Sequence, residues 1–381
     1  MLLTEEHHTI RKTVRDFAER EVKPLARELD EKAEFSIPLT KRMGELGLFA
    51  LRTSQEYGGL DMDTLSYVIA VEEMARVDGS HAATLAAHIS LGIGPIMNYG
   101  NEEQKQKYLP MLSSGEGLWA FGLTEPDAGS DSRGTKTTAR LEGDEWVING
   151  SKIFITNGSS SLNRGATVQA VSGEQNGRKE FSTVLVDAET PGFKRVPMHG
   201  KMMWRASDTA QLFFDDCRVP ASNLLGKRGE GSKIMLNTLD SGRLSIAAMG
   251  LGCAQGAFEM ALKYSKERRQ FGKPIGHFQI NAFKLADMAT KIELARNLLY
   301  KGAWLKSNHQ PFAKEAAMAK LYCSEIAKEV ADEAVQIFGG YGLMKDYDIE
   351  RFYRDQRLLQ IGEGTSEIQR LVISRYIGVY D

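Results

Sequence analysis

The hydrophobic period of this chain changes twice, and those two changes limit the folds open to it. In the opening stretch MLLTEEHHTIRKTVRDFAEREVKPLA, residues Ile10, Val14, Phe17, Ala18 and Val22 fall on one helical face. Alanine-rich runs such as LSYVIAVEEMARV and HAATLAAHISLGI continue the pattern until YGN at Tyr99–Asn101 stops it. Residues 119–226 then read as short β-rich runs, EWVINGSKIFITN, ATVQAVSG, FSTVLVD and TAQLFFDDCRVP, separated by Gly, Asp and Asn turns. Beyond them the helical period returns: Phe278, Ala282, Leu285, Ala289, Ile292, Leu299 and Ala303 step at three, four and seven residues. A further long helix, starting near Pro311, is expected to end at Gly339–Gly340, where tandem glycine permits a left-handed cap. The expected fold is mainly α with a central β domain. Its segments are a helical layer (1–118), a β unit (119–226) and helices packed as a bundle (227–381).

With 381 residues and 42% hydrophobic content, the chain can bury a large core in two or three structural units. Forty-eight basic residues against 50 acidic ones leave a net charge of -2, so no global field favours nucleic acid or an anionic membrane. Cys217, Cys253 and Cys323 are widely spaced and lack CxxC pairing, which argues against a disulfide framework and against a zinc site. A reducing compartment follows. No apolar h-region, cleavage site or run of about 20 apolar residues is present, so neither a targeting segment nor a membrane span is expected, and the location read from this is cytoplasmic. His7 and His8 are adjacent and therefore diverge on a helix, which speaks against a shared metal. Gly250, Gly252 and Gly256 in MGLGCAQG lie inside a helical run, where close helix packing explains them better than a dinucleotide loop does.

Chemistry gathers at a few places. In LLQIGEGTSEIQRLVISR a carboxylate, Glu363, stands between Gly362 and Gly364, so another molecule can approach both the carboxylate and the following backbone. A solvated glutamate in a glycine-rich turn is the alternative. FGLTEPDAGSD opens the β unit with the hydroxyls of Thr124 and Ser130 beside backbone N–H groups able to meet a ring edge or a phosphate. About twenty-five residues on, KIFITNG is expected to set Phe154 and Thr156 on one strand face at period two. Three further pieces, LDSGR, ERRQFG and QIFGGYG, follow in order.

Together, LTEPDAGSD, ITNG, RASDT, ERRQFGKPI, QIFGGYG and EGTSEIQR resemble the motifs of acyl-CoA dehydrogenases of the short- and medium-chain type, over essentially the whole chain. The resemblance implies an N-terminal helical domain, a β-barrel-like middle domain and a C-terminal four-helix bundle, assembled as a homotetramer with one noncovalent FAD per subunit. It implies dehydrogenation of an acyl-CoA to the trans-2-enoyl-CoA, with electrons passed to an electron-transfer flavoprotein. Glu363 matches the base that removes the α-proton. Phe121, Leu123, Thr124, Ser130, Phe154, Ile155 and Thr156 match residues lining the flavin, with Phe154 where many members carry Trp. Arg268 and Gln279 match residues reaching the FAD of a neighbouring subunit, and Gln336, Gly339, Gly340, Thr365, Ser366 and Glu367 complete the dinucleotide site. Ser130, Asp240, Ser241, Gly242, Arg243 and Gly364 match positions facing the acyl-CoA.

Two departures bear on the substrate. The residue before the base is commonly Tyr and here is Gly362, which implies extra room beside the reacting carbons and acceptance of branched acyl groups. Some branched- and long-chain members take their base from the LDSGR helix, where this chain has Gly242, leaving Glu363 as the candidate. Within the same fold the alternatives are an oxidase reoxidised by oxygen, typically a longer chain, and a DNA-associated stress-response flavoprotein, which the charge balance disfavours.

Overall fold

Side-chain caps set the helix boundaries of the N-terminal part of the computed structural model, which describes residues 3–379. α1 (Glu5–Phe17) starts at Thr4, whose hydroxyl accepts from the His7 N–H while the His7 ring accepts from the Thr4 N–H. The other ring nitrogen of His7 meets Asp63 at 3.0 Å, and His8 is exposed, so the neighbouring histidines do separate work. A π-helical turn over residues 18–22 joins α1 to α2 (Lys23–Lys32). α3 (Ile37–Glu45), α4 (Thr64–Ala75) and α5 (Gly79–Ala87) are capped by Ser36, Asp63 and Asp78. α6 (Gly94–Tyr99) ends where YGN predicts. Asn101 then caps α7 (Glu102–Ser114), which stops at left-handed Gly115.

The middle of the chain is a sheet. Its strands are β1 (Leu118–Gly122), β2 (Thr138–Glu142), β3 (Glu145–Thr156), β4 (Asn163–Gln175), β5 (Arg178–Asp187), β6 (Phe193–Pro197), β7 (Thr209–Pro220) and β8 (Leu224–Leu225). They lie in the order β6-β7-β3-β2-β4-β5-β8, with β1 added in parallel to β4. The pairing of β3 with β7 breaks register between Lys152 and Ile155, and Phe154 takes a left-handed φ of +61°. The bulge leaves Lys152 and Ile155 both buried although three positions apart, while Phe154 and Thr156 flank Ile155 on the less buried side. Phe154 is turned outward and is 64% exposed, while Ile155 faces the sheet core.

The helical period resumes in α8 (Gly231–Glu267). A small hairpin, β9 (Arg269–Gln270) with β10 (Lys273–Pro274), leads to α9 (Gln279–Ser307), α10 (Ala313–Phe338), α11 (Ile349–Asp355) and α12 (Ser366–Tyr376). α10 ends at Gly339, φ +60°. α8 runs through the middle of the helical mass. A Cβ at Gly250 would press on the Cys323 carbonyl of α10, and one at Gly252 or Gly256 on the Glu72 or Arg76 carbonyls beside α4. Those glycines are packing residues, as their helical context predicts. One apolar core runs from Val14 and Phe49 through α4 and α8 to Leu299 and Ala327, while the sheet keeps its own core around Trp146, Val168 and Leu212. The two helical segments are thus one body, although a β unit separates them in sequence. All three cysteines are buried and unpaired. Among the described residues, no helix is long and apolar enough to cross a membrane, and no group of His, Cys, Asp or Glu is arranged to hold a metal.

Candidate active site

Between α11 and α12 the chain makes a left-handed turn, with φ +52° at Glu363 and +93° at Gly364. For a non-glycine residue that conformation carries strain of about 1 kcal/mol, so the surroundings must enforce it. The Gly364 carbonyl accepts from Lys320 Nζ at 2.7 Å and from Gln369 Nε2 at 2.9 Å, and Thr365 caps α12 immediately after. A Cβ at 364 would stand 2.7 Å from Gln369 Nε2, so glycine is required there by both conformation and space. Gly362 differs: its φ is ordinary, and the atoms nearest to a Cβ there all belong to Leu358, with Cδ2 at 2.8 Å.

The Glu363 side chain reaches α8 at Gly242, where any Cβ would overlap Oε2. The missing side chain of one residue is the space occupied by the other. Glu363 Oε2 is inaccessible to solvent and has no hydrogen-bond partner. Burial pushes this carboxyl up to about 7, against the pull of Lys320 and Arg243. Arg243 is buried and ion-paired with Asp240, and its Nε is unpartnered. Lys306 Nζ donates to Ser241 Oγ at 2.7 Å, and burial draws that ammonium down to about 7. Gly242 and Arg243 of α8 thus stand at the Glu363 side chain, with Asp240 held by Arg243 and Ser241 by Lys306 next to them.

The β unit presents a second surface. Phe121 and Leu123 pack with Met235 at the start of α8. The Thr124 carbonyl accepts from the Ile153 N–H at 2.9 Å, which lays the loop after β1 beside Phe154 and Thr156. Fully buried Lys152 anchors this loop, with Nζ 2.7 Å from Glu125 Oε1 and 3.3 Å from the Leu123 carbonyl. Glu125 in turn accepts from the Lys136 and Thr137 N–H groups at 2.7 and 3.1 Å. An exposed aromatic ring, the hydroxyls of Thr124, Thr156 and Ser130, and open space at Gly129 make a surface suited to a planar heteroaromatic ring.

The remaining candidates lie elsewhere. Arg268 caps the far end of α8 with its guanidinium 5.4 Å from the Tyr341 ring centre, Gln279 starts α9, and Gln336, Gly339 and Gly340 close α10. All are exposed, and a Cβ at Gly339 or Gly340 would meet open space. Gln336 is sixteen residues beyond Lys320 on α10 and Arg268 is twenty-six beyond Gly242 along α8; at helical rise these are about 24 and 39 Å. One chain does not bring them to Glu363. Around them lie exposed apolar side chains, Phe271 (92%), Ile280, Phe283, Leu343 and Met344. Thr365 caps α12, Ser366 is buried with an unpartnered hydroxyl, and Glu367 is exposed.

Sequence reading missed Lys320, Gln369, Lys306, Leu358 and the Glu125–Lys152 pair. For Lys320 a signal was present: in EAAMAKLYC it sits four residues after Ala316 and three before Cys323, a lone charge on the apolar face.

Three family profiles match the chain: the acyl-CoA dehydrogenase N-terminal domain over residues 4–116, the middle domain over 120–217 and the C-terminal domain over 229–378. The short-chain specific acyl-CoA dehydrogenase of Clostridium acetobutylicum is 48% identical, over 98% of each chain. A chain from a structure of the electron transferring flavoprotein of Acidaminococcus fermentans is 46% identical, with a TM-score of 0.96 over 99% of each chain. An acyl-CoA dehydrogenase of Bacillus anthracis solved in complex with FAD is 38% identical, with a TM-score of 0.92 over 98% of this chain and 66% of the other.

Proposed function

The chain belongs to the acyl-CoA dehydrogenase family, and from that premise we propose that it oxidises a short- to medium-chain acyl-CoA to the trans-2-enoyl-CoA with Glu363 as its base. The observation that carries the assignment is the unpartnered, inaccessible Oε2 of Glu363. A carboxylate partly withdrawn from water and without a hydrogen-bond donor on Oε2 is a stronger base, and a carboxyl near 7 takes a proton readily at neutral pH.

An α C–H beside a thioester is still too weak an acid unless the developing negative charge on the thioester oxygen is stabilised. Among the described residues nothing accepts a hydrogen bond from the Glu363 N–H, which leaves that donor for the thioester carbonyl. The α-proton goes to the Glu363 carboxylate, the electron pair left behind forms the C=C bond, and the β-hydrogen leaves as hydride. FAD is the cofactor of the enzyme, and when bound it supplies the hydride acceptor. Phe121, Leu123, Thr124, Ser130, Phe154, Ile155 and Thr156 would hold its ring, and the open surface at Phe154 and Gly129 fits that use. Asp240 to Arg243, Ser130 and Gly364 would hold the acyl-CoA.

Arg268, Gln279, Gln336, Gly339 and Gly340 would serve the FAD of a neighbouring copy in a homotetramer. Their distance from Glu363 within one chain and the exposed Phe271 and Phe283 beside them support that reading. An electron-transfer flavoprotein would receive the electrons, in keeping with the Acidaminococcus likeness. The room left by Gly362 is shared with Leu358, so an α-branched acyl group must displace that side chain.

The test is anaerobic bleaching of the flavin by straight and branched acyl-CoAs, for the wild type and Glu363→Gln. Bleaching by butyryl-CoA without peroxide formation, abolished in Glu363→Gln, is expected. Bleaching of the variant at the wild-type rate would place the base elsewhere.

A further inference from the structure

α10 carries a lysine that stability alone does not explain. Lys320 has 0% exposure on the alanine face of the helix, and its ammonium finds one acceptor, the neutral carbonyl of Gly364 at 2.7 Å. A buried ammonium without a carboxylate partner in bonding range destabilises a fold. The same carbonyl already has a second donor in Gln369 Nε2, at 2.9 Å, so it would remain satisfied without the lysine. What both donors share is their place behind the left-handed Glu363–Gly364 turn, with the Glu363 carboxylate directed at Gly242 on the other side.

We propose that Lys320 and Gln369 are positioning residues for the base: together they clamp the Gly364 carbonyl and so hold Glu363 against α8, and Lys320 also supplies the positive charge facing its otherwise unpaired carboxylate. This rests on Glu363 being the base. The charged and titratable groups around that carboxylate are Lys320 from α10, Arg243 with its partner Asp240 from α8, and Tyr67 from α4, while Glu367 of α12 acts on Lys320. Burial draws Lys320 down to about 8 and Glu363 up to about 7, with Lys320 the larger of the two cationic influences restraining Glu363. Loss of that cation raises the carboxyl further.

The experiment uses purified holoenzyme of the wild type, Lys320→Met, Gln369→Leu and Glu363→Gln. Anaerobic flavin reduction by butyryl-CoA is followed from pH 6 to 9, and Tm is measured on the same samples. Lys320→Met keeps length and removes charge. Its Tm should rise by a few °C, on the order expected for relieving one buried charge. Its reduction rate at pH 7 should fall by at least ~10-fold, as misplacement of a base demands, and its acidic limb should move up by about 0.5 to 1 pH unit. Gln369→Leu loosens the clamp without touching the charge, so its rate should fall while the limb stays in place. A Lys320→Met protein that is less stable, or does not fold, overturns the proposal, because a gain in stability is what it requires. A wild-type rate and limb in Lys320→Met also overturn it. If Glu363→Gln reduces normally, the base assignment falls and the clamp with it; if Glu363→Gln is inactive and Lys320→Met behaves as wild type, only the clamp falls.

Discussion

The two ends of α8 carry charge in opposite circumstances. Near its start, Gly242 and Arg243 face a partly buried carboxylate one of whose oxygens, Oε2, has neither solvent nor a partner; at its far end Arg268 stands exposed among open glycines and bare apolar side chains. The first is built within one chain, since α4, α8, α10 and the turn before α12 supply the charged and titratable groups described around Glu363. The second is open, because among the described residues the exposed guanidinium beside Phe271 and Phe283 has the Tyr341 ring as its neighbour and no carboxylate partner. A charge removed from water inside one subunit points to chemistry performed there, whereas a charge left in water beside apolar surface points to a contact still to be made.

The sharpest way to break this contrast is Glu363→Gln. Flavin reduction should drop at least ~10²-fold with loss of the base, while FAD content stays normal. The same variant should be the more stable protein. The folded carboxyl sits near 7 and an unfolded one at the ordinary carboxylate value, so the wild type is least burdened at low pH and loses stability as pH rises through 7. The Tm advantage of Glu363→Gln should therefore be larger at pH 8 than at pH 5. Gly242→Ala comes next: a single methyl group placed on Oε2 should cut reduction by roughly 10- to 100-fold through misplacement, with FAD occupancy unchanged. Full activity in that variant would show that the carboxylate works from another position.

Arg268→Ala probes the open end. We expect FAD affinity to fall by about tenfold for the loss of a charge-assisted phosphate contact, together with a weaker assembly seen by sedimentation, while the reduction rate per bound flavin holds. A loaded, fully assembled variant would end the contrast between the two sites. In wild-type enzyme the acidic limb of kcat/KM should titrate near 7, the value burial gives Glu363 in the free protein. The smallest effect is expected at Gly362→Tyr. Since φ at 362 is ordinary, the backbone accepts a side chain, and the ring must compete with Leu358 for space. Branched substrates should lose about two- to tenfold more kcat/KM than butyryl-CoA, the scale of a few misplaced methylenes. Equal losses would show that this space does not touch the acyl group.

The order of helices, sheet and helices was legible because burial imposes a period of 3.6 on a helix and 2 on a strand, and neither depends on distant partners. Motif matching reached Glu363 for a different reason, its fixed neighbours in EGTSEIQR. What escaped was long-range or local strain. The complementarity of Gly242 and Glu363 joins residues more than a hundred positions apart, and nothing in either local sequence states it. The bulge between Lys152 and Ile155, with its left-handed Phe154, escaped because alternation assumes unbroken register. Lys320 left a trace, one charge in a stripe of alanines, that the apolar pattern around it concealed.

The Glu125–Lys152 pair also says something about how the protein behaves before it is loaded. Because a fully buried ion pair and two backbone N–H groups fix the loop from Leu123 to Thr137, the chain meets the flavin with that wall of the site already folded. Little conformational entropy remains to be lost there on association. Amide hydrogen exchange at Lys136 and Thr137 should accordingly be as slow in flavin-stripped protein as in holoenzyme, and reloading should behave as docking onto a standing surface instead of as folding around a guest.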